Sequence, residues 1–412
     1  MYICNERYVL MIRQEQIAEV IDSQNESFRN KAQQVKREAL KDVPSIESFA
    51  TIITGIRRCG KSTLLLQVLE SKLSDALFLN FEDIRLVGFE ASDFTRLQNE
   101  LDGREVNTLF FDEIQITDKW EIFIHQLLDK GYNIYITGSN ASLLSKELGT
   151  HLTGRNISME LFPFSYLEFL SCTSQEPNRD SLSDYMKTGG MPEYVKHRDR
   201  RILTQLLEDI LIRDIAIRHK VRDVNTLKQL AVYLLTNVGK QVSANKTKSL
   251  FAVKSTTTIL EYFSFYSDSY LIEFLPQFSH SPKAQVRNPK KVYAIDTGFT
   301  EVVSTSSTDD FGRKLENLVY IHLRRKFHEL YYFQQGGECD FVVKENNKVT
   351  QLIQVCYHIT DDNFEREYRG LLEAMEFFKL TEGVIVTLDQ SDTFEKNGFS
   401  VQLVPAFDFF RS

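Results

Sequence analysis

The chain has 412 residues, 42% hydrophobic and 26% charged, the size and composition of about two to four globular domains; collagen-like, low-complexity and wholly disordered classes are excluded. No apolar run approaches the ~20 residues that span a bilayer. Glu6 and Arg7 also interrupt the start where a secretory signal would be apolar, so no membrane association and a cytoplasmic location are expected. A net charge of −8 argues against general polyanion binding, and the five cysteines (Cys4, Cys59, Cys172, Cys339, Cys356) show neither disulfide nor zinc spacing.

In chain order, residues 1–48 read as a helical lead. From 49 to 198, short β-branched or aromatic runs alternate with amphipathic segments: ATIIT (50–54), ALFLNF (76–81), TLFF (108–111), NIYIT (133–137) and ISMEL (157–161). Strands alternating with helices imply parallel pairing through crossovers, hence an α/β layered domain. Residues 199–239 read as helices, with Leu203, Leu206, Leu207, Ile210 and Leu211 forming one buried stripe. VSANKTKSLF and STTTILEYFSFYSDSY are two further helices, each opened by a capping serine, Ser243 and Ser255. LIEFLP and KVYAID follow as strands joined by the basic loop SHSPKAQVRNPKK, and a second mixture of helices and strands runs to the end.

The sharpest motif is GIRRCGKS at 55–62, which satisfies G-x-x-x-x-G-K-[ST] between a strand and a helix. Gly55 and Gly60 permit backbone angles and a close approach that a side chain would block. The amides of Gly55, Ile56, Arg57, Arg58, Cys59, Gly60, Lys61, Ser62 and Thr63 would surround phosphates, with Lys61 as a point charge and the Ser62 hydroxyl on Mg²⁺. Cys59 reads as packing within the loop. In TLFFDEIQ, Asp112 ends a strand and would hold Mg²⁺ through water, while Glu113 is the general base for the attacking water. The strand at 76–81, lying between loop and acidic pair in sequence, and the adjacent glutamate fit the ATPase branch with an additional catalytic strand. No NKxD-type guanine motif appears, so ATP is the expected nucleotide. After NIYIT, TGSNAS offers Ser139 or Asn140 to orient water or sense the γ-phosphate, or else forms a plain capped turn. Arg155 in LTGRNISMEL is either an arginine finger, in its own or a neighbouring subunit, or a surface ion-pair partner.

These segments, with LFPFSYLEFL and YMKTGGMPEYV, resemble the bacterial and archaeal AAA-like ATPase family (AAA+/STAND-related) that carries an RRxGKST phosphate loop. The resemblance implies Lys61 and Ser62 on phosphate and magnesium, Asp112 and Glu113 as the acidic pair, and Arg155 as the finger-like arginine.

Residues 199–300 are similar to a winged helix: three helices and a two-stranded wing with a basic loop. Between Lys240 and Lys291 lie eight basic and three acidic residues (Lys240, Lys246, Lys248, Lys254, Lys283, Arg287, Lys290, Lys291 against Glu261, Asp268, Glu273), so DNA contact is expected there if anywhere. A solvated basic face, an ATPase lid or a protein dock would account for the same features. Residues 301–412 resemble the domain of unknown function that follows such ATPase cores, itself similar to the PD-(D/E)XK nuclease fold. That resemblance puts Glu316, Asp340, Gln354 and Cys356 at the four catalytic positions. A neutral amide and a thiol stand where an acid and a lysine are needed, so the domain reads as catalytically degenerate; Asp296 reads as a turn former. The resulting expectation is a three-part α/β Mg²⁺-ATPase that couples nucleotide state to domain rearrangement, a homo-oligomer if Arg155 acts in trans. Two alternatives stand beside it: a slow signalling-type switch with a protein partner, and an active ATP-regulated DNA nuclease.

Overall fold

A computed structural model describes residues 12–29, 35–70, 76–139, 154–304 and 310–411. The chain divides into two compact units, 1–56 with 60–161, and 57–59 with 162–412. The boundaries read from sequence at 198/199 and 300/301 therefore both fall inside the second unit. Among the described residues no helix is long and apolar enough to cross a membrane.

The first unit is built on five parallel strands, β1 (Ala50–Thr54), β2 (Ala76–Asn80), β3 (Thr108–Asp112), β4 (Asn133–Gly138) and β5 (Asn156–Glu160), in the order β2-β3-β4-β1-β5. The strand inserted between β1 and β3 is β4. The sequence reading, which looked to 76–81 for that insertion, is corrected: β2 lies at the sheet edge. Every residue of β1 and β3 is buried, as interior parallel strands covered on both faces require. Helices α1 (Gln14–Arg29), α2 (Lys61–Glu70), α3 (Phe94–Asp102) and α4 (Trp120–Asp129) accompany the strands. Ile17, Val20 and Ile21 of α1 share a core with Leu97, Leu101, Trp120, Phe123, Ile124 and Leu127. α1 also closes the β2 edge: the Asn25 amide donates to Phe78 O (2.9 Å) and accepts from Phe78 N (3.0 Å), while Gln24 accepts from Asn80 N (2.7 Å).

In the second unit α5 (Tyr166–Thr173), α6 (Arg179–Thr188), α7 (Pro192–His197) and α8 (Arg200–Asp209) lead into a π-helical segment, Ile210–Ile217, which the sequence pattern does not distinguish from ordinary helix. Then come α9 (Val224–Leu235), β6 (Gln241–Val242), α10 (Ala244–Leu250), α11 (Thr256–Asp268), β7 (Ile272–Pro276), α12 (Pro282–Arg287) and β8 (Lys290–Ala294). The three strands pair in the order β6-β8-β7, and α12 occupies the loop expected to be irregular. Ser243 and Ser255 cap α10 and α11 through the amides of Lys246 and Thr257. After α13 (Thr297–Val303) and α14 (Phe311–Lys326) come β9 (Glu329–Gln334), β10 (Glu338–Glu345), β11 (Lys348–Val355), α15 (Asp361–Phe378), β12 (Glu382–Thr387), β13 (Asp392–Lys396), β14 (Phe399–Pro405) and α16 (Ala406–Phe409). Their six strands form a mixed sheet ordered β13-β14-β12-β11-β10-β9.

The TGGMPEYV segment is explained by crowding. A Cβ on Gly190 would lie 2.2 Å from Phe164 O, and one on Gly189 2.0 Å from Asp296 Oδ1. Asp296 caps α13 through Gly298 N (2.9 Å) and also accepts from Gly190 N (2.5 Å), so the turn-forming reading is extended to a tie between distant segments.

Candidate functional site

The phosphate-type loop follows β1 and runs into α2. Gly55 and Gly60 take φ of 139° and 101°, both closed to side chains without strain. A Cβ on Gly60 would also come within 2.8 Å of Arg37 Nη1. Arg37 is buried, its backbone N–H donating to Gln67 Oε1 on α2 (2.9 Å). Within the loop, buried Lys61 donates from Nζ to Gly55 O (3.0 Å) and Ile56 O (3.1 Å), which fixes a positive charge in its concavity. Ile56 and Cys59 are buried and Arg58 is left-handed (φ 62°). Arg57, grouped with the second unit, pairs there with Asp214 (3.1 Å). Ser62 and Thr63 open α2.

The Ser62 hydroxyl donates to Asp112 Oδ2 at 2.8 Å, joining the loop to the end of β3. Asp112 also accepts from Asn80 Nδ2 (3.3 Å), at the end of β2, and from the Thr137 hydroxyl on β4. The two strands flanking β3 thus aim polar ends at its terminal carboxylate. Glu113 follows in a left-handed conformation (φ 56°), and its carboxylate accepts from the Gln115 amide. Burial pushes the Glu113 pKa up, against the opposing pull of Lys61; Asp112 and Glu82 raise it further. A Cβ on Gly138 would meet Gln115 Oε1 at 3.5 Å, so Gln115 lies against the end of β4. The hard-oxygen pair Ser62–Asp112 and the ammonium of Lys61 are chemically suited to Mg²⁺ and phosphate.

Ser139 is buried directly after β4; Asn140 lies outside the described residues. The structure does not bring Arg155 to the loop. β1 and β5 run parallel with Ala50 opposite Asn156, so Arg155 sits at the edge opposite the loop, roughly a full five-residue strand, ~16 Å, away. Its guanidinium pairs with Asp129 Oδ1 (2.5 Å) and donates to Ser48 O (3.2 Å), the ion-pair alternative; the finger role in its own subunit is corrected. Asn80, Gln115, Thr137 and Arg37 were missed. Each of Asn80 and Thr137 is a polar residue closing an apolar strand run, the signal that could have marked them.

In the second unit Lys240, Lys246, Lys254, Lys283 and Arg287 are exposed, and Lys248 and Lys290 half-buried. Lys291 departs from the expected basic surface: only 1% exposed, it cannot meet a phosphate backbone. Its Nζ lies 2.6 Å from Asp340 Oδ1, 2.6 Å from Glu338 Oε1 and 3.0 Å from Glu316 Oε1. The Tyr293 hydroxyl donates to the same Glu316 oxygen (2.7 Å). Burial and the Asp340 charge push the Glu316 pKa to about 7, with Lys291 opposing. Gln354 accepts from Asp340 N (3.1 Å) and donates to Glu367 (2.7 Å), so its amide bridges β10 and α15. Cys356 belongs to the sheet's hydrophobic core, and burial raises its thiol to about 11. Among the described residues, no group of three His, Cys, Asp or Glu has the arrangement of a metal site.

Residues 47–170 match the AAA domain family, and residues 179–310 match a domain of unknown function, DUF8612. The chain is 34% identical over 396 residues to the uncharacterized protein MJ1544 of Methanocaldococcus jannaschii, covering 90% of this chain and 88% of that one. It is 29% identical over 364 residues to an uncharacterized protein of Haemophilus influenzae, covering 81% and 91% respectively. The Thermotoga maritima RuvB Holliday junction branch migration motor aligns at 16% identity over 68% of this chain and 92% of that one; its TM-score of 0.31 is too low to bear on function.

Proposed function

The chain belongs to the family of MJ1544 of Methanocaldococcus jannaschii and carries an AAA-like P-loop ATPase domain; on that footing we propose a Mg²⁺-dependent ATP hydrolase whose nucleotide state rearranges the rest of the chain, with the basic segment 240–290 as a DNA contact. The observation that carries the hydrolytic reading is the Ser62–Asp112 hydrogen bond at the mouth of the loop with Glu113 beside it. The loop amides bind and orient the phosphates, and Lys61 places its charge against them. Ser62 and Asp112 would hold Mg²⁺, whose charge would neutralise the phosphate oxygens. Asn80 and Thr137 keep the Asp112 carboxylate in one orientation. Glu113 accepts the proton of the attacking water at its carboxylate, and burial makes it a stronger base than a solvated glutamate.

Steady-state ATP hydrolysis by the wild type and Glu113→Gln, with and without duplex and single-stranded DNA, tests this. The variant should lose about 100-fold or more in turnover while still binding ATP. Wild-type turnover in the variant would refute the site, and DNA-insensitive turnover would refute the DNA contact. A slower, switch-like reading is favoured by one contact, the Gln115 amide on Glu113, which restrains the base. Turnover near background with nucleotide tightly held, under all these conditions, would select it.

A further inference from the structure

The carboxylates at the nuclease-like positions of the second unit already enclose a cation, and it belongs to the chain. Glu338 and Asp340 are two residues apart on β10 and so project from the same face, while Glu316 approaches from α14. The point where these three sets of oxygens converge is the Lys291 ammonium, delivered from β8 at 2.6, 2.6 and 3.0 Å. Its side chain is 2% exposed, so the ammonium is shielded from exchange with solvent cations.

Two of the carboxylates carry further partners. Asp340 Oδ2 accepts from Val355 N (2.9 Å), and Tyr293 donates to Glu316. A divalent cation at this point would have to overlap the ammonium or displace it from the three carboxylates that satisfy it, leaving a buried charge unpaired. The residues present therefore do not fit the metal that a nuclease-like fold would use.

We propose that Lys291 is a built-in substitute for a divalent cation, so that this carboxylate centre is metal-free by construction and joins β8, β10 and α14 instead of cleaving phosphodiesters. The ammonium supplies one positive charge where a metal would supply two, and it is anchored by a covalent stem that no chelator removes. Vacating that position should recreate the site the carboxylates imply.

The test uses the full nucleotide-free chain, stripped of metal, with thermal unfolding and free-Mn²⁺ electron paramagnetic resonance as readouts. Millimolar Mn²⁺ should leave the wild-type Tm unmoved, raise that of Lys291→Met by at least about 2 °C, and lose that effect in Lys291→Met/Asp340→Asn. A folded Lys291→Met that ignores Mn²⁺ would overturn the proposal. Should Lys291→Met not fold, the wild type and Asp340→Asn decide. Equal Mn²⁺ uptake supports the proposal, and loss of one bound Mn²⁺ on Asp340→Asn would show that the carboxylates hold metal with Lys291 in place.

Discussion

Glu113 combines three departures from an ordinary surface glutamate: a left-handed backbone (φ 56°), partial burial, and a hydrogen bond from Gln115. A non-glycine residue held there costs of order 1 kcal/mol, which the surrounding structure must offset. In the proposed role of base Glu113 must be ionised, and its pKa lies above the usual carboxylate value, so hydrolysis should fall as pH drops through that raised pKa. The Gln115 hydrogen bond pulls the pKa down. Gln115→Ala should therefore move the acid limb of the kcat profile to higher pH, and a profile identical to wild type would dissociate Gln115 from the base. Lys61, Ser62, Asp112 and Glu113 were legible in the sequence because their chemistry is tied to a fixed spacing along the chain. Asn80 and Thr137 were not, since they converge on Asp112 only through the sheet, whereas Gln115 reaches Glu113 through the local turn that follows it.

At the scale of elements, the five strands of the first sheet were legible nearly to the residue because each is an apolar run between polar punctuation. Their lateral order was not: which strand is inserted depends on crossovers, and hydrophobic pattern alone is blind to them. α12 went unread because its six residues, PKAQVR, lie in a segment dominated by charge and proline, although its proline at the first turn is a helix-start signal. Helix starts fared better. Ser255 accepts from Thr257 N at 3.1 Å at the head of α11, whose inner face is Ile259, Tyr262, Phe263 and Tyr266. Ser255→Ala should cost about 1 kcal/mol in urea unfolding, whereas Ser255→Asp, which keeps the acceptor, should cost far less.

For the whole molecule, charge is the quantity most easily misread from sequence. A net −8 conceals an exposed basic set in the second unit, and that set in turn concealed Lys291, whose burial is decided by partners far along the chain. The two kinds of lysine are separable by salt. If Lys246 and Lys254 neutralise DNA phosphates, the double alanine variant should weaken binding and flatten the log K against log[salt] slope by about 0.9 for each phosphate no longer neutralised. An unchanged slope with unchanged affinity would exclude both lysines from the DNA interface. Recognition of the AAA-like core needed only contiguous motifs. The lysine-centred carboxylate cluster joins residues 25 to 49 positions apart and could be seen only once folded.

The pairing of α1 with the outer strand of the first sheet bears on how this protein can be dissected. Gln24 and Asn25 occupy backbone groups of β2 that would otherwise be open to a strand from another molecule. The AAA match begins only at residue 47. A fragment trimmed to that limit would carry the complete nucleotide loop yet bare a sticky ribbon along its flank, and its solubility would fail before its chemistry could be assayed.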